Sequence, residues 1–383
     1  MSKWKRIALV LTVVVLVLVL VGIAGWQLLV RYFTQQYYRQ AYEPIPLTAG
    51  LIAGPPAEHH LADVPWTAAA FPTCQSVSLQ MIAAQHGTEQ PRAHFDFMMG
   101  FTYGASELPG VGWSPFGTDP ETGMKVAAPY LGLVRRYYVT DDAELYRQAL
   151  RHFLAQGYPV RVALDMGTLY GVEAFMAHSD LLVGYDADGF YYYETVCIPP
   201  AGCSPGEREP GERGLFVSDQ VLLDAVRAQS KPLKYPWRYA LTVFDPGPTA
   251  TDLGPVWAQN SQALLGGNPY GPKTGADAIA ALAERIERRG TRFDFATIEI
   301  GVEIAAITRP DNAAYLRQAF AGDDETAHAA ALFDQAGAAY RNVSSLIAAG
   351  VADEAEVDQI VAHLRDAAAA ERQAGQVFQK RVE

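Results

Sequence analysis

FPTCQSVSLQMIAAQHG, residues 71–87, is the stretch from which the fold can be read. Phe71-Pro72-Thr73 reads as a turn. Cys74 then opens a helix in which Val77, Met81 and Ala84, with Leu79 and Ile82 beside them, follow helical spacing. Gly87 supplies the stop. A thiol in the first turn of a helix meets unpaired backbone N–H groups and the positive end of the macrodipole, and both favour a thiolate. That is one way to build a nucleophilic cysteine. The other reading is a small buried hydrophobe, which is what most free thiols are.

Working outward, a Gly/Pro-rich region at 100–129 carries Tyr103, Trp113 and Phe116 and reads as a long loop, either facing a substrate or covering the core. LGLVRRYYV (131–139) has strand composition. Asp141 and Asp142 open a helix through Leu145, Ala149 and Phe153 that stops at Gly157. YPVRVALD (158–165) alternates as a strand. HSDLLVGYDADGFYYYE (178–194) reads as a β-hairpin reversed by Asp186-Ala187-Asp188-Gly189. In that hairpin His178 starts one strand and Glu194 ends its partner. Those ends lie side by side, so the carboxylate can fix the imidazole tautomer. Cys74, His178 and Glu194 thus form a candidate nucleophile, base and orienting group. Taken singly, the histidine reads as a structural residue and the glutamate as an edge-strand charge.

At 383 residues, half hydrophobic and 19% charged, the chain is long enough for two cored domains and is neither disordered nor a multi-span membrane protein. Its net charge of −12 argues against nucleic acid or an anionic membrane surface as the main partner, and the lack of a basic run removes nucleic acid. Lys3, Lys5 and Arg6 precede an uncharged apolar run over 7–30, long enough to cross a bilayer. The positive flank predicts a cytoplasmic N-terminus, a single pass through the cell membrane and an extracytoplasmic remainder. A cleaved signal peptide, with cutting near Gly22-Ile23-Ala24 and secretion, is the rival reading. Because the apolar run continues through Trp26 to Val30, the expectation is an uncleaved anchor over 1–31. Tyr32, Phe33, Tyr37 and Tyr38 then resemble an interfacial aromatic belt. Residues 32–60, with Pro44, Pro46, Pro55 and Pro56, read as a Pro-rich tether.

Residues 61–245 read as one mixed α and β domain and 250–383 as a helical domain. Within the latter, 277–289 is amphipathic, 331–347 lines up Leu332, Ala336, Tyr340 and Val343, and 357–378 is Ala-rich. There are three cysteines. Cys197 and Cys203 bracket a short Pro/Gly loop, which an exported domain could close with a disulfide; alternatively they are loose surface thiols. Cys74 is left over as the odd thiol. No Cys/His cluster has metal-ligand spacing, so neither a metal nor another cofactor is expected.

Together, FPTCQSVSLQM, GYPVRVALD and H-x-x-LLVGYDADGFYYYE resemble the papain-like cysteine peptidases of the bacteriocin-leader-processing (double-glycine peptidase) type, in particular their exported relatives. The resemblance covers about 61–245. It implies an α+β papain-like fold in which a cysteine-bearing helix packs on an antiparallel sheet, with Cys74 as nucleophile, His178 as base and Glu194 as orienting residue. The implied activity is that of a thiol hydrolase on a peptide or amide substrate. Two departures stand out. The family's oxyanion glutamine has no counterpart in DVPWTAAAFPTC, and Thr73 stands where glycine is common. Losing one oxyanion donor costs about 100- to 1,000-fold in rate. The replacements on offer are the Cys74 backbone N–H, Gln75 and Thr67. The chain also resembles the N-terminal domain family of butirosin biosynthesis protein H, where a papain-like core precedes a helical domain. That resemblance implies an alternative, acyl transfer from a thioester to an amine. A catalytically inactive binding module on the same fold is the third alternative.

Overall fold

The computed structural model describes residues 3–67, 73–108, 112–195, 213–267 and 273–382. In chain order, α1 (Lys3–Tyr42) is followed by β1 (Ile45–Pro46), β2 (His59–His60), α2 (Cys74–Gln85) and α3 (Arg92–Met99). Next come β3 (Ser106–Leu108), β4 (Gly112–Ser114), α4 (Pro120–Ala127), β5 (Leu133–Thr140), α5 (Ala143–Ala155) and β6 (Val160–Asp165). Then follow α6 (Met166–Tyr170), β7 (Ala177–Tyr185), β8 (Gly189–Tyr193), β9 (Leu215–Ser218), α7 (Asp219–Ser230) and β10 (Tyr239–Pro246). Five helices close the chain: α8 (Gly254–Leu265), α9 (Gly275–Arg289), α10 (Glu299–Ala319), α11 (Asp324–Ala349) and α12 (Glu354–Lys380). The class is mixed α and β with a helical C-terminal region.

One sheet runs β1-β5-β10-β6-β7-β8-β9, with β2 added along β7. Apart from the parallel β1–β5 pair, its neighbours are antiparallel. The expected hairpin is present as β7 and β8, with Leu181 opposite Tyr193. Asp186 holds its turn by accepting from the Asp188 and Gly189 amides at 2.9 and 3.2 Å. The cysteine helix is buried on almost every side, its polar Gln75, Ser76 and Ser78 included. Ser78 bonds Ser179 of β7 through their hydroxyls at 3.1 Å, and Ser76 donates to the buried Asp96 of α3 at 2.5 Å. The first contact fixes α2 against the strand that carries His178, and the second fixes it against α3.

Two expectations about organisation are corrected. Residues 32–60 are not a tether. Helix α1 continues without a break to Tyr42, β1 pairs with β5, and β2 pairs with β7. Pro46 sits on the edge strand β1, where a missing N–H breaks no ladder bond, and Pro44, Pro55 and Pro56 lie outside the strands. The base of α1 is buried in aromatics: Tyr42 is wholly enclosed by Tyr38, Tyr137, Tyr235 and Trp237. Its hydroxyl donates to Asp119, which caps α4.

Nor are 61–245 and 250–383 separately cored. Phe97 packs on Trp257, Tyr315 and Phe320 in one continuous hydrophobic cluster. A second cluster lies among α9, α10, α11 and α12. The region 100–129 is the seam between the two parts rather than a substrate loop, because Tyr103 and Trp113 are buried and β3, β4 and α4 form within it. Buried Arg309 of α10 donates to the carbonyls of Pro115 at 3.0 Å and Gly104 at 2.5 Å, and to Glu371 of α12 at 2.8 Å. Pro310, inside α10, is accommodated by Gly337 of α11, where a Cβ would come within 2.6 Å of the ring. The three predicted C-terminal helices are present as α9, α11 and α12; α10 lacked a clear apolar stripe in the sequence because Pro310 interrupts it.

Candidate functional site

Cys74 is the first residue of α2 and is 6% exposed. Thr73, the residue before it, makes no side-chain capping bond, and its buried Oγ1 has no partner among the described residues. Among the described residues no side chain caps the first turn of α2, and free amides at a helix start are donors able to receive a developing oxyanion.

Strand β7 delivers His178 and the end of β8 delivers Glu194; both are buried. His178 Nε2 lies 2.7 Å from Glu194 Oε1 and 3.0 Å from Asp180 Oδ1. The Cys74 thiol lies close enough to the same imidazole to help raise its pKa. With Nε2 engaged by carboxylates, Nδ1 is the ring nitrogen left for sulfur. Burial works against a charged His178, but Glu194, Asp180 and the Cys74 contact outweigh it and raise its pKa well above 6.5. Tyr170 donates to the second oxygen of Glu194, and the Trp66 indole N–H donates to the Glu194 carbonyl at 3.3 Å. The glutamate is thereby held from three sides.

Comparison with protein-family models and with curated protein sequences found no match.

Asp180 was not among the residues expected from the sequence. Its signal was the H-x-D spacing: two residues apart on a strand, His178 and Asp180 project to the same side. Burial and the neighbouring Glu194 push its carboxyl up to about 7, against the opposing pull of His178. Its Oδ2 is buried without a hydrogen-bond partner among the described residues. His178, Asp180 and Glu194 bring their ligand atoms within 4.8 Å of one another, close enough to surround a divalent ion. That cluster is invisible as linear spacing, since it is assembled across two strands.

Of the proposed oxyanion donors, Gln75 is engaged elsewhere through its oxygen. Arg161 of β6 holds Gln75 Oε1 with two N–H groups, one at 3.1 Å, and its NH1 donates to Glu121 and to Thr242. The amide NH2 of Gln75 has no hydrogen bond among the described residues. Arg161, 1% exposed, also lies within electrostatic reach of Cys74, so a fixed cation backs the thiol. Glu121 takes a second arginine, with Arg135 NH2 at 2.5 Å; although burial pushes its carboxyl up, the two guanidinium groups bring it below the usual range. Thr67 is half-buried, one residue beyond the indole that touches Glu194. Cys197 and Cys203 lie outside the described residues, so their pairing has no structural account.

One cavity, about 450 Å³, lies between α1 and Lys234 to Pro236, and another, about 920 Å³, lies among Asp141, Thr168 and the end of α7 with the loop after it; neither is lined by Cys74.

Proposed function

We propose that the chain is a papain-like thiol hydrolase acting on a peptide or amide bond, held by α1 to the cell membrane with the site on the extracytoplasmic side. The observation that carries the reading is a single buried imidazole bonded to Glu194 and Asp180 through Nε2, with the Cys74 thiol near enough to help raise its pKa. A cation so placed is the partner a thiolate nucleophile uses.

In the reaction, the Cys74 sulfur attacks the carbonyl carbon and forms the C–S bond. The oxyanion is received by the Cys74 backbone N–H, with the free NH2 of Gln75 as second donor. The C–N bond then breaks, and His178 gives its proton to the departing amine. Water, relieved of a proton by His178, attacks the acyl group. The C–S bond breaks, the acid leaves and the thiol is restored. Glu194 and Asp180 hold the ring and balance its charge throughout.

Membrane attachment is supported by α1, which over Thr12–Tyr42 is long and apolar enough to span a bilayer and is unburied in its apolar stretch. Alkylation by an iodoacetamide probe at neutral pH tests the chemistry. Cys74 is expected to label rapidly, and His178→Ala to lower the rate about 10- to 100-fold. Equal rates in both proteins would sink the reading. Aminolysis of a thioester donor, with an amine and not water as acceptor, would turn it into acyl transfer on the same residues.

A further inference from the structure

Where α1 meets the sheet domain, the loop KPLKYPWR (231–238) closes over the helix. The Tyr38 hydroxyl donates to the Leu233 carbonyl at 2.7 Å, and Tyr235 and Trp237 stack with one another against Tyr38 and Tyr42. This clamp presents Lys231, Lys234 and Arg238 outward, all exposed and none ion-paired among the described residues. They place three cations within eight residues of a chain whose net charge is −12.

Lys234 is also one of two non-glycine residues with positive φ among those described, at 57°. An L-residue takes that conformation at a cost, and such strain concentrates at binding sites. It lines the 450 Å³ cavity together with Trp26, Val30, Thr34 and Gln35 of α1. The apolar run begins at Ile7, and about 20 helical residues cross the roughly 30 Å hydrocarbon core, so its outer edge falls near Trp26. Trp26 therefore sits at the hydrocarbon edge, Val30 just outside it, and Thr34, Gln35 and Lys234 at the depth of the headgroups. Lys231 and Arg238 line the adjoining 920 Å³ cavity just beyond Lys234.

From this arrangement we infer that the cavity between α1 and the 231–238 loop is a binding site for an anionic phospholipid of the membrane that α1 crosses. Headgroup phosphate meets Lys234, with Lys231 and Arg238 adding positive charge beside Asp141 and Asp224, and the acyl chains pass Trp26 into the hydrocarbon. The site seats the domain at a fixed tilt on the bilayer. This inference rests on α1 spanning the membrane.

The test uses the full chain in nanodiscs of phosphatidylcholine alone or with phosphatidylglycerol, read by amide hydrogen exchange over 231–238. Phosphatidylglycerol is expected to slow exchange there about tenfold or more, since each cation near an anionic surface strengthens attraction appreciably. The gain is expected to vanish in K231Q/K234Q/R238Q and in Lys234→Gly, which removes the cation while suiting the positive φ. Both variants should keep the wild-type alkylation rate at Cys74. Equal exchange in the two lipids overturns the lipid site. Equal protection by inorganic phosphate in detergent overturns it in favour of a small-anion site. Carbonate release of the chain from vesicles overturns the spanning reading, and this inference with it; retention with no lipid dependence overturns this inference alone.

Discussion

The imidazole of His178 is held at Nε2 by Glu194 at 2.7 Å, and the same nitrogen lies 3.0 Å from Asp180, so two buried carboxylates serve one ring. A triad needs only one orienting acid. The second gives the site an extra negative charge that burial makes costly, which is why Asp180 takes up a proton near pH 7.

The two acids should separate by mutation. Glu194→Gln leaves a residue that can still bond the ring but neither carries charge nor selects the same tautomer, and about a 100- to 10,000-fold fall in acylation rate is expected. Asp180→Asn should cost less and should remove an inflection near pH 7 from the alkylation profile. Stopped-flow alkylation from pH 5 to 9 measures both. An unchanged profile in Asp180→Asn would place the proton elsewhere.

Stability should fall as pH rises through and beyond neutrality. The folded Asp180 binds its proton more tightly than the unfolded carboxyl, so its contribution is present at low pH and lost between 3.8 and about 7. His178, raised well above 6.5, contributes fully below that value and loses its contribution as pH climbs through the folded pKa. Both run in the same direction. Urea midpoints at pH 6 and pH 9 are expected to differ, and less so in H178N/D180N.

Arg161 anchors the floor of the site. Arg161→Ala leaves Glu121 with one of its two arginines and frees Gln75, at an expected cost of about 3–5 kcal/mol. Arg161→Lys keeps the charge but not the fork that grips the Gln75 amide, so it should fold better than the alanine variant yet still alkylate more slowly than wild type. Denaturation midpoints read against Cys74 alkylation rates separate the two effects.

The aromatic clamp makes α1 part of the folded body. Trp237→Ala removes a ring that touches Tyr42, Tyr137 and Tyr235, and about 3–5 kcal/mol of local packing should go with it. Limited proteolysis between residues 43 and 58 is expected to accelerate at least tenfold. An unchanged cleavage rate would show that β1 and β2 hold this segment by themselves.

Gly337→Ala tests the α10–α11 contact. A methyl there would lie 2.6 Å from the Pro310 ring, and overpacking of this kind costs about 1–3 kcal/mol. Differential scanning calorimetry should show a lower Tm with Cys74 alkylation unaffected at 25 °C.

Much of this was legible along the chain because it depends on near neighbours. Helical spacing after Cys74 specifies a buried helix, Asp186 to Gly189 specifies a hairpin, and the 7–30 run can only be a long apolar helix. Local chemistry decides such elements, so sequence alone determined them, along with the pairing of His178 with Glu194 across the hairpin. What adjacency in space decides was out of reach. The proline-studded 32–60 segment joined the sheet because edge strands and aromatic surfaces elsewhere accept it. The C-terminal helices merged with the cysteine domain because Arg309 and Phe97 find partners some two hundred residues away. Asp180 acquired its significance only when two strands and a helix terminus closed around one ring, since burial and a neighbouring charge are tertiary quantities that no spacing encodes.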